Sequence, residues 1–250
     1  MIKTHLINLD KDTERLAFMK DNFDRLGIAV DRFPAVDGRL FPVDEFERFV
    51  AARPRDGKKT WMRGQMGCFL SHFGVWKKIA EGNDRFAAVF EDDVYLSPVL
   101  SQLFVDDQWL TDDIDLVRLD TSTNRLLMDR KAKINAGARN FYRVKTTSWC
   151  AGGYLINRRT ARQLVELAPH FHQPADVILY NYEQSVITPK LTILQASPAL
   201  VTQDKQEGSK IGFVSNIEAP TQTLRQDRFI DVIPAIYRTL LGYKRVPYQN

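Results

Sequence analysis

The chain has 250 residues, 44% of them hydrophobic and 26% charged, with 35 Lys and Arg against 31 Asp and Glu for a net charge of +4. That is enough apolar content to bury a core without staples, and it excludes a disordered or fibrous chain. The mild basic excess suits a polyanionic small molecule or an anionic surface, and the lack of a Lys/Arg run or of interleaved aromatic and basic residues argues against nucleic acid.

In chain order, His5 to Leu9 reads as a first strand, and Leu16, Met19, Phe23 and Leu26 recur at helical spacing until Gly27 stops the helix. Ile28 to Val36 reads as a second strand closed by the turn Val36-Asp37-Gly38. This β-α-β opening places the ends near Asn8 and Asp37 where two strands can face one ligand. No G-x-G-x-x-G or Walker A pattern follows, so a phosphate is not expected to be cradled in the dinucleotide or P-loop manner.

Phe41 to Arg63 combines a short helix candidate with the basic stretch Arg53 to Lys59, expected to be a mobile surface loop. Gly64 to Ile79 is a predicted helix, with Met66, Phe73 and Trp76 as core residues and Gly67, Cys68 and Ser71 small enough for close packing. Phe86 to Phe90 is a fully apolar strand, Ile114 to Asp120 another that ends in acid, and Asn124 to Asn140 is polar with weak periodicity. Gly152-Gly153 precedes a strand to Asn157, a pairing that signals close approach of a backbone or ligand, and Thr160 to Ala168 reads as a helix.

Glu91-Asp92-Asp93 carries the most chemistry. Three carboxylates crowd the end of an apolar strand, where ligands bind in open α/β sheets. Adjacent carboxylates repel, and a divalent ion such as Mn²⁺ or Mg²⁺ supplies both the missing charge and a preference for oxygen ligands. A solvated acidic turn is the plainer alternative, against which stands the return to apolar Val94-Tyr95-Leu96. Cys68 and Cys150 are far apart and outside any paired ligand spacing, so neither a disulfide framework nor a zinc site is expected. The first ten residues turn polar too soon for a signal peptide, and no run of about 18 apolar residues occurs, so a cytoplasmic protein is expected.

The blocks Ile7-Asn8-Leu9-Asp10 with Glu14-Arg15-Leu16, Ala35-Val36-Asp37-Gly38, Gly64-Gln65-Met66-Gly67-Cys68 with Leu70-Ser71-His72, Val89 to Val94, Gly152 to Ile156 and Pro174-Ala175-Asp176 run in one order over about the first two hundred residues. In this they resemble glycosyltransferase family 25, the lipooligosaccharide-type and collagen-type galactosyltransferases. The resemblance implies an α/β GT-A type, Rossmann-like nucleotide-sugar fold with a mixed central sheet flanked by helices, over residues 1–228. It further implies a UDP-sugar donor, commonly UDP-galactose, inversion at the anomeric carbon, a divalent metal, and an oligosaccharide or lipid-linked glycan acceptor as in lipopolysaccharide biosynthesis. On that basis Asp93 with Asp92 or Glu91 is the expected metal anchor. Asn8, Leu9, Arg15, Ala35, Asp37, Ser71 and His72 are expected along the donor. Asp176 is expected as the base or a sugar-binding group, with Asp120, Glu183 and Asp92 as rivals.

Residue by residue, plainer roles compete: Asp37 as a turn former before Gly38, Arg15 as a solvated side chain, His72 as a satisfied core histidine, and Asp176 as a helix cap. Where relatives often carry Asp after the Ser of a closing block, Lys210 follows Ser209 here; Lys205 and Lys210 can neutralise a diphosphate or simply form a basic loop. Residues 229–250 form a basic amphipathic tail suited to an anionic membrane surface, or to packing on its own domain. A catalytically silent nucleotide- or glycan-binding homologue and a metal-dependent nucleotidyltransferase are the alternative readings.

Overall fold

The computed structural model describes residues 1–55, 60–122, 124–208, 212 and 241–249. β1 (Lys3–Asn8) leads into α1 (Thr13–Arg25) and β2 (Val30–Pro34); α2 (Val43–Ala52), α3 (Arg63–Glu81), β3 (Phe86–Glu91), β4 (Val94–Leu96) and the single turn α4 (Leu100–Leu103) follow. β5 (Leu116–Arg118), β6 (Arg125–Leu127), β7 (Ile134–Ala136), β8 (Arg139–Arg143) and β9 (Gly153–Asn157) precede α5 (Arg158–Leu167) and α6 (Ala175–Tyr180). β10 (Ile193–Ser197), β11 (Val201–Gln203) and β12 (Tyr243–Arg245) complete the described elements.

Eight strands form one mixed sheet in the order β2-β1-β3-β9-β5-β10-β8-β7. β1 runs parallel to β2 and β3, and β9 lies antiparallel between β3 and β5. β3 is apolar without alternation because both its faces are covered. Ala87 and Val89 join a core with Trp76 of α3 and Leu164 of α5, whereas Phe86, Ala88 and Phe90 join one with Met19 and Phe23 of α1. This is the α/β class, with helices flanking a mixed central sheet, that the blocks of the sequence led us to expect.

Two glycines fix how the second strand's exit meets α3. A Cβ on Gly67 would lie 2.4 Å from the Val36 carbonyl oxygen and 2.6 Å from the Gly38 nitrogen, and one on Gly38 would lie 1.8 Å from the Arg63 carbonyl oxygen. The turn therefore rests backbone to backbone on the helix, and Ser71 clips it there by accepting from Val36 N–H at 2.8 Å while donating to the Gly67 carbonyl at 2.7 Å. Gly67→Ala should cost about 3 kcal/mol, since rigid backbone has to move rather than a flexible side chain. Chemical denaturation measures it; a change below about 1 kcal/mol would mean the contact yields easily.

Several expectations need correction. Arg53 and Arg55, placed in a loose loop, lie with their guanidinium carbons 4.7 Å from the Phe49 ring centre and 5.5 Å from that of Trp61; residues 56–59 lie outside the described residues. The polar stretch from Asn124 onward, which lacks a helical or alternating pattern, forms β6, β7 and the start of β8. What comes close to the Gly152-Gly153 pair is side chain: Val94 and Gln203 at Gly152, Val201 at Gly153. Residues 229–240 of the expected tail lie outside the described residues, and Tyr243–Arg245 is a strand on β6. Val246 is buried, and Ala199 N–H donates to the Pro247 carbonyl, so this end of the chain is held on the domain. Among the described residues no helix is long and apolar enough to cross a membrane.

Candidate active site

Parallel pairing brings three chain exits to one edge of the sheet. Ile7 aligns with Glu91 and Asn8 with Pro34, so the ends of β1, β2 and β3 open side by side. A cleft lies at that edge, in the position where open α/β sheets bind ligands. Asn8, Leu9, Arg15, Ala35, Asp37, Ser71, His72, Glu91, Asp92 and Asp93 all line it; Asp176 does not. Gln203 and Lys205, from the chain leaving β11, complete the wall.

The three carboxylates, at the end of β3 and in the bend before β4, are sorted by their partners. Asp92 accepts from Asn8 Nδ2 at 2.7 Å and from the Arg15 guanidinium at 2.9 Å, so both its oxygens are engaged. Asn8 in turn accepts from Arg32 through its side-chain oxygen. Burial works to raise the Asp92 carboxyl, and it stays above its usual range despite those two donors. Asp92 therefore ties the first strand and first helix to the cleft floor. Glu91 and Asp93 share the other side, where Gln203 Nε2 donates to Glu91 Oε2 at 2.9 Å and sits 3.5 Å from Asp93 Oδ1.

Glu91 is held on its other oxygen by a buried hydrogen-bond chain. The Trp76 indole N–H, which can only donate, reaches the Tyr154 hydroxyl at 2.8 Å. Burial pushes Tyr154 far above its ordinary range, so its O–H is intact and points to His72 Nδ1 at 2.9 Å. His72 accordingly carries its proton on Nε2, 3.2 Å from Glu91 Oε1. Burial is the largest single influence and would lift the Glu91 carboxyl, but the donors and positive charge around it, His72 first and then Lys205 and Gln203, together outweigh it and the group lies below its ordinary range. Tyr154→Phe leaves two buried ring nitrogens without partners and should destabilise the chain by roughly 2–3 kcal/mol, checked by denaturant titration. A neutral effect would mean that Trp76 and His72 find other partners.

Asp37 takes the turn-forming role: its carboxylate accepts from Arg39 N–H and guanidinium and from Lys11 at 3.0 Å, which holds it well below the usual carboxylate range. Asp176, at the start of α6, accepts from the Cys150 and Val177 N–H groups at 3.3 and 2.9 Å, and burial raises it. That contact pins Cys150, whose φ of 73° is rare for a residue with a side chain. Asp120 is fully buried against Arg118 at 2.9 Å and Glu183 is exposed, and neither lines the cleft. Lys205 makes no salt bridge among the described residues; the negative groups around it, Glu91 and Asp93 among them, raise its ammonium against the opposing effect of burial. Lys210 lies outside the described residues.

The donor set fits a divalent cation of the Mg²⁺ or Mn²⁺ kind. Burial first, and then the charge of Glu91, lift the Asp93 carboxyl to about 7, so two carboxylates face one space that lacks a compensating Lys or Arg ion pair among the described residues. The Gln203 side-chain oxygen is buried on the same wall without a hydrogen-bond partner among the described residues. Hard oxygen donors with excess negative charge match what such ions take. Sequence reading set Gln203 in the closing block from Pro198 without a role and missed the role of Tyr154, since β11 is a three-residue strand and Tyr154 sits within an ordinary apolar run.

The sequence model described as glycosyltransferase family 25 (LPS biosynthesis protein) matches residues 1–179. The lacto-N-neotetraose biosynthesis glycosyltransferase LgtB of Neisseria meningitidis serogroup B is 27% identical over 216 residues, covering 81% of this chain and 76% of that protein. The lipooligosaccharide biosynthesis protein lex-1 of Haemophilus influenzae is 29% identical over 171 residues, 64% of this chain and 56% of that protein. Procollagen galactosyltransferase 1-A of Xenopus laevis is 33% identical over 173 residues, 66% of this chain but 28% of that protein. A solved glycosyltransferase involved in glycosylation of the major capsid of PBCV-1 aligns over 81% of this chain and 91% of that chain, with TM-score 0.44 and 11% identity, a likeness that adds nothing to the family match. With the match spanning the strand exits, the acidic triplet and the helix that carries His72, the chain belongs to glycosyltransferase family 25.

Proposed function

We propose that this glycosyltransferase moves a hexose, galactose first among candidates, from a UDP-sugar to a glycan acceptor of the lipooligosaccharide type, with inversion and with a divalent cation at Asp93. The observation that carries the reading is the pair Glu91 and Asp93, half-buried at the mouth of three parallel strands and bridged by Gln203. The names of LgtB and of procollagen galactosyltransferase support the sugar and acceptor class.

Asp93, aided by the Gln203 side-chain oxygen, would hold the cation, which when bound supplies Lewis-acid stabilisation of a departing diphosphate. Lys205 adds a positive charge at the same wall for the phosphate oxygens. Asn8 and Arg15 act through Asp92, fixing the floor against which a nucleotide lies, and Ser71 fixes the turn that carries Ala35 to Gly38. The acceptor hydroxyl has to lose a proton on the side away from the leaving group. Glu91 is the carboxylate placed on the cleft wall for this, with Asp176 as the alternative off the wall, since position ranks before acidity in choosing a base. Donor choice follows from few contacts and is open to a panel test.

Incubation with a panel of UDP-hexoses, Mn²⁺ and a lipooligosaccharide acceptor, read by mass spectrometry, should show one hexose added and UDP released. No transfer and no hydrolysis with any donor would overturn the reading in favour of a silent binding homologue. Release of pyrophosphate from a nucleoside triphosphate would favour a nucleotidyltransferase instead.

A further inference from the structure

The helix α3 carries Cys68 and His72 four residues apart, hence on one face, and β3 brings Glu91 to meet them. Cys68 Sγ, a His72 ring nitrogen and a Glu91 oxygen all lie within 4.8 Å of one another, with His72 Nε2 at 3.2 Å and Cys68 Sγ at 4.0 Å from Glu91 Oε1. Tetrahedral zinc, with bonds of about 2.0–2.3 Å to N, O and S, sets its donors roughly 3.3–3.8 Å apart, so small rotations suffice. Cys68 and His72 both line the cleft, which gives an ion a way in. Residue spacing alone offers no hint of zinc, because Cys68 has no nearby cysteine; the third donor arrives only through the fold.

We propose that Cys68, His72 and Glu91 form a second cation site, selective for a thiophilic ion such as Zn²⁺ and separate from the oxygen-donor position at Asp93, and that filling it blocks transfer. A single thiolate and an imidazole favour Zn²⁺ over Mn²⁺ or Mg²⁺, which take oxygen donors. Tyr154 supplies the outer support such a histidine needs, contacting Nδ1 at 2.9 Å and leaving Nε2 toward the ion. Binding forms bonds to sulfur, nitrogen and oxygen with no change of oxidation state. The Cys68 thiol proton leaves to solvent, the imidazole proton moves from Nε2 to Nδ1, and the Tyr154 O–H turns away from Nδ1 so that its oxygen accepts from Nδ1 as it does from Trp76. Glu91 then has its negative charge offset by the ion, which removes the carboxylate offered to an acceptor. That last consequence rests on the transferase reading; the binding itself does not.

Titration of the chelator-treated full chain with Co²⁺ tests the site without any assay of transfer. A thiolate-to-cobalt charge-transfer band is expected in the wild type, in Cys150→Ser and in Asp93→Asn, and is expected to vanish in Cys68→Ser. Zn²⁺ should displace it stoichiometrically and Mn²⁺ should not. Absence of the band in the wild type, its survival in Cys68→Ser, or its loss in Cys150→Ser would overturn the proposal. Anomalous diffraction at the zinc edge needs only the wild type: a peak about 2.3 Å from Cys68 Sγ supports the site, and a peak only at Asp93 overturns it. If every donor fails in the transfer assay while the cobalt band is present, the transferase reading falls and the zinc site stands.

Discussion

Asp93→Asn is expected to lower transfer by about 10²–10³-fold or more, the loss that follows when a group stabilising charge on the leaving side is removed. The amide keeps the shape of the carboxylate, so the protein should fold, but it carries no charge to hold a cation. A binding readout accompanies the kinetic one. Burial lifts the Asp93 carboxyl from an ordinary 3.8 to about 7, so the folded state favours the proton. The stability this contributes is complete below the unfolded value and is lost as pH climbs through about 7. A cation can take the place of the missing proton only where the proton has left. Mn²⁺ should therefore raise the melting temperature by several degrees near pH 8 and much less near pH 5. Asp93→Asn should show no such response at either pH. An equal Mn²⁺ effect in the variant would place the ion elsewhere.

Arg118→Met should be the most damaging single change to stability, by about 3–5 kcal/mol, the usual result of removing one member of a buried ion pair. Both Arg118 and Asp120 are fully buried. Arg118 donates to Asp120 and, at 2.8 Å, to the Trp149 carbonyl, and its guanidinium carbon lies 4.9 Å from the Tyr180 ring centre. Asp120 accepts from the Gly152 N–H at 2.9 Å. The pair thus holds both ends of the loop around Cys150, and Gly152 in turn accepts from Glu91 N–H at 3.0 Å. Burial already lifts Asp120 to about 6 against the pull of Arg118, so without the arginine an uncompensated carboxylate is left inside. The melting temperature should fall by roughly 10 °C. Adding Asp120→Asn to Arg118→Met should restore part of it by removing the stranded charge. A loss below about 1 kcal/mol, or no gain in the double variant, would show that the pair does not hold this loop.

The first half of the fold was readable because its pattern is strong. The helical spacing of Met19 and Phe23, the stop at Gly27, and the unbroken apolar β3 each have one physical interpretation. In the second half the strands that became β5 and β9 and the helix α5 were readable too, whereas β6, β7 and β11 have three residues each and take their place from neighbours rather than from propensity. Of the site, the acidic triplet and the strand exits were legible. The division of labour within the triplet was not, because Asp92 and Asp93 lie in a bend past β3 and only their partners tell them apart: Glu91 and Asp93 meet Gln203, and Asp92 meets Asn8. Gln203 was out of reach, because it meets Glu91 only through the pairing of β11 with β4. Asp176 shows what a motif leaves unsaid about surroundings. Its motif marks it for chemistry, while its carboxylate is engaged with the backbone of Cys150 and Val177.

A divalent cation held by Asp93 at the sheet edge should receive a nucleotide diphosphate, and anomalous diffraction from crystals soaked with Mn²⁺ and UDP tests this without any assay of turnover. One manganese peak is expected about 2.0–2.2 Å from an Asp93 carboxylate oxygen, with diphosphate oxygens on its far side and Lys205 turned toward them. UDP bound away from this cleft, or manganese with no contact to Asp93, would refute the proposed chemistry at its root.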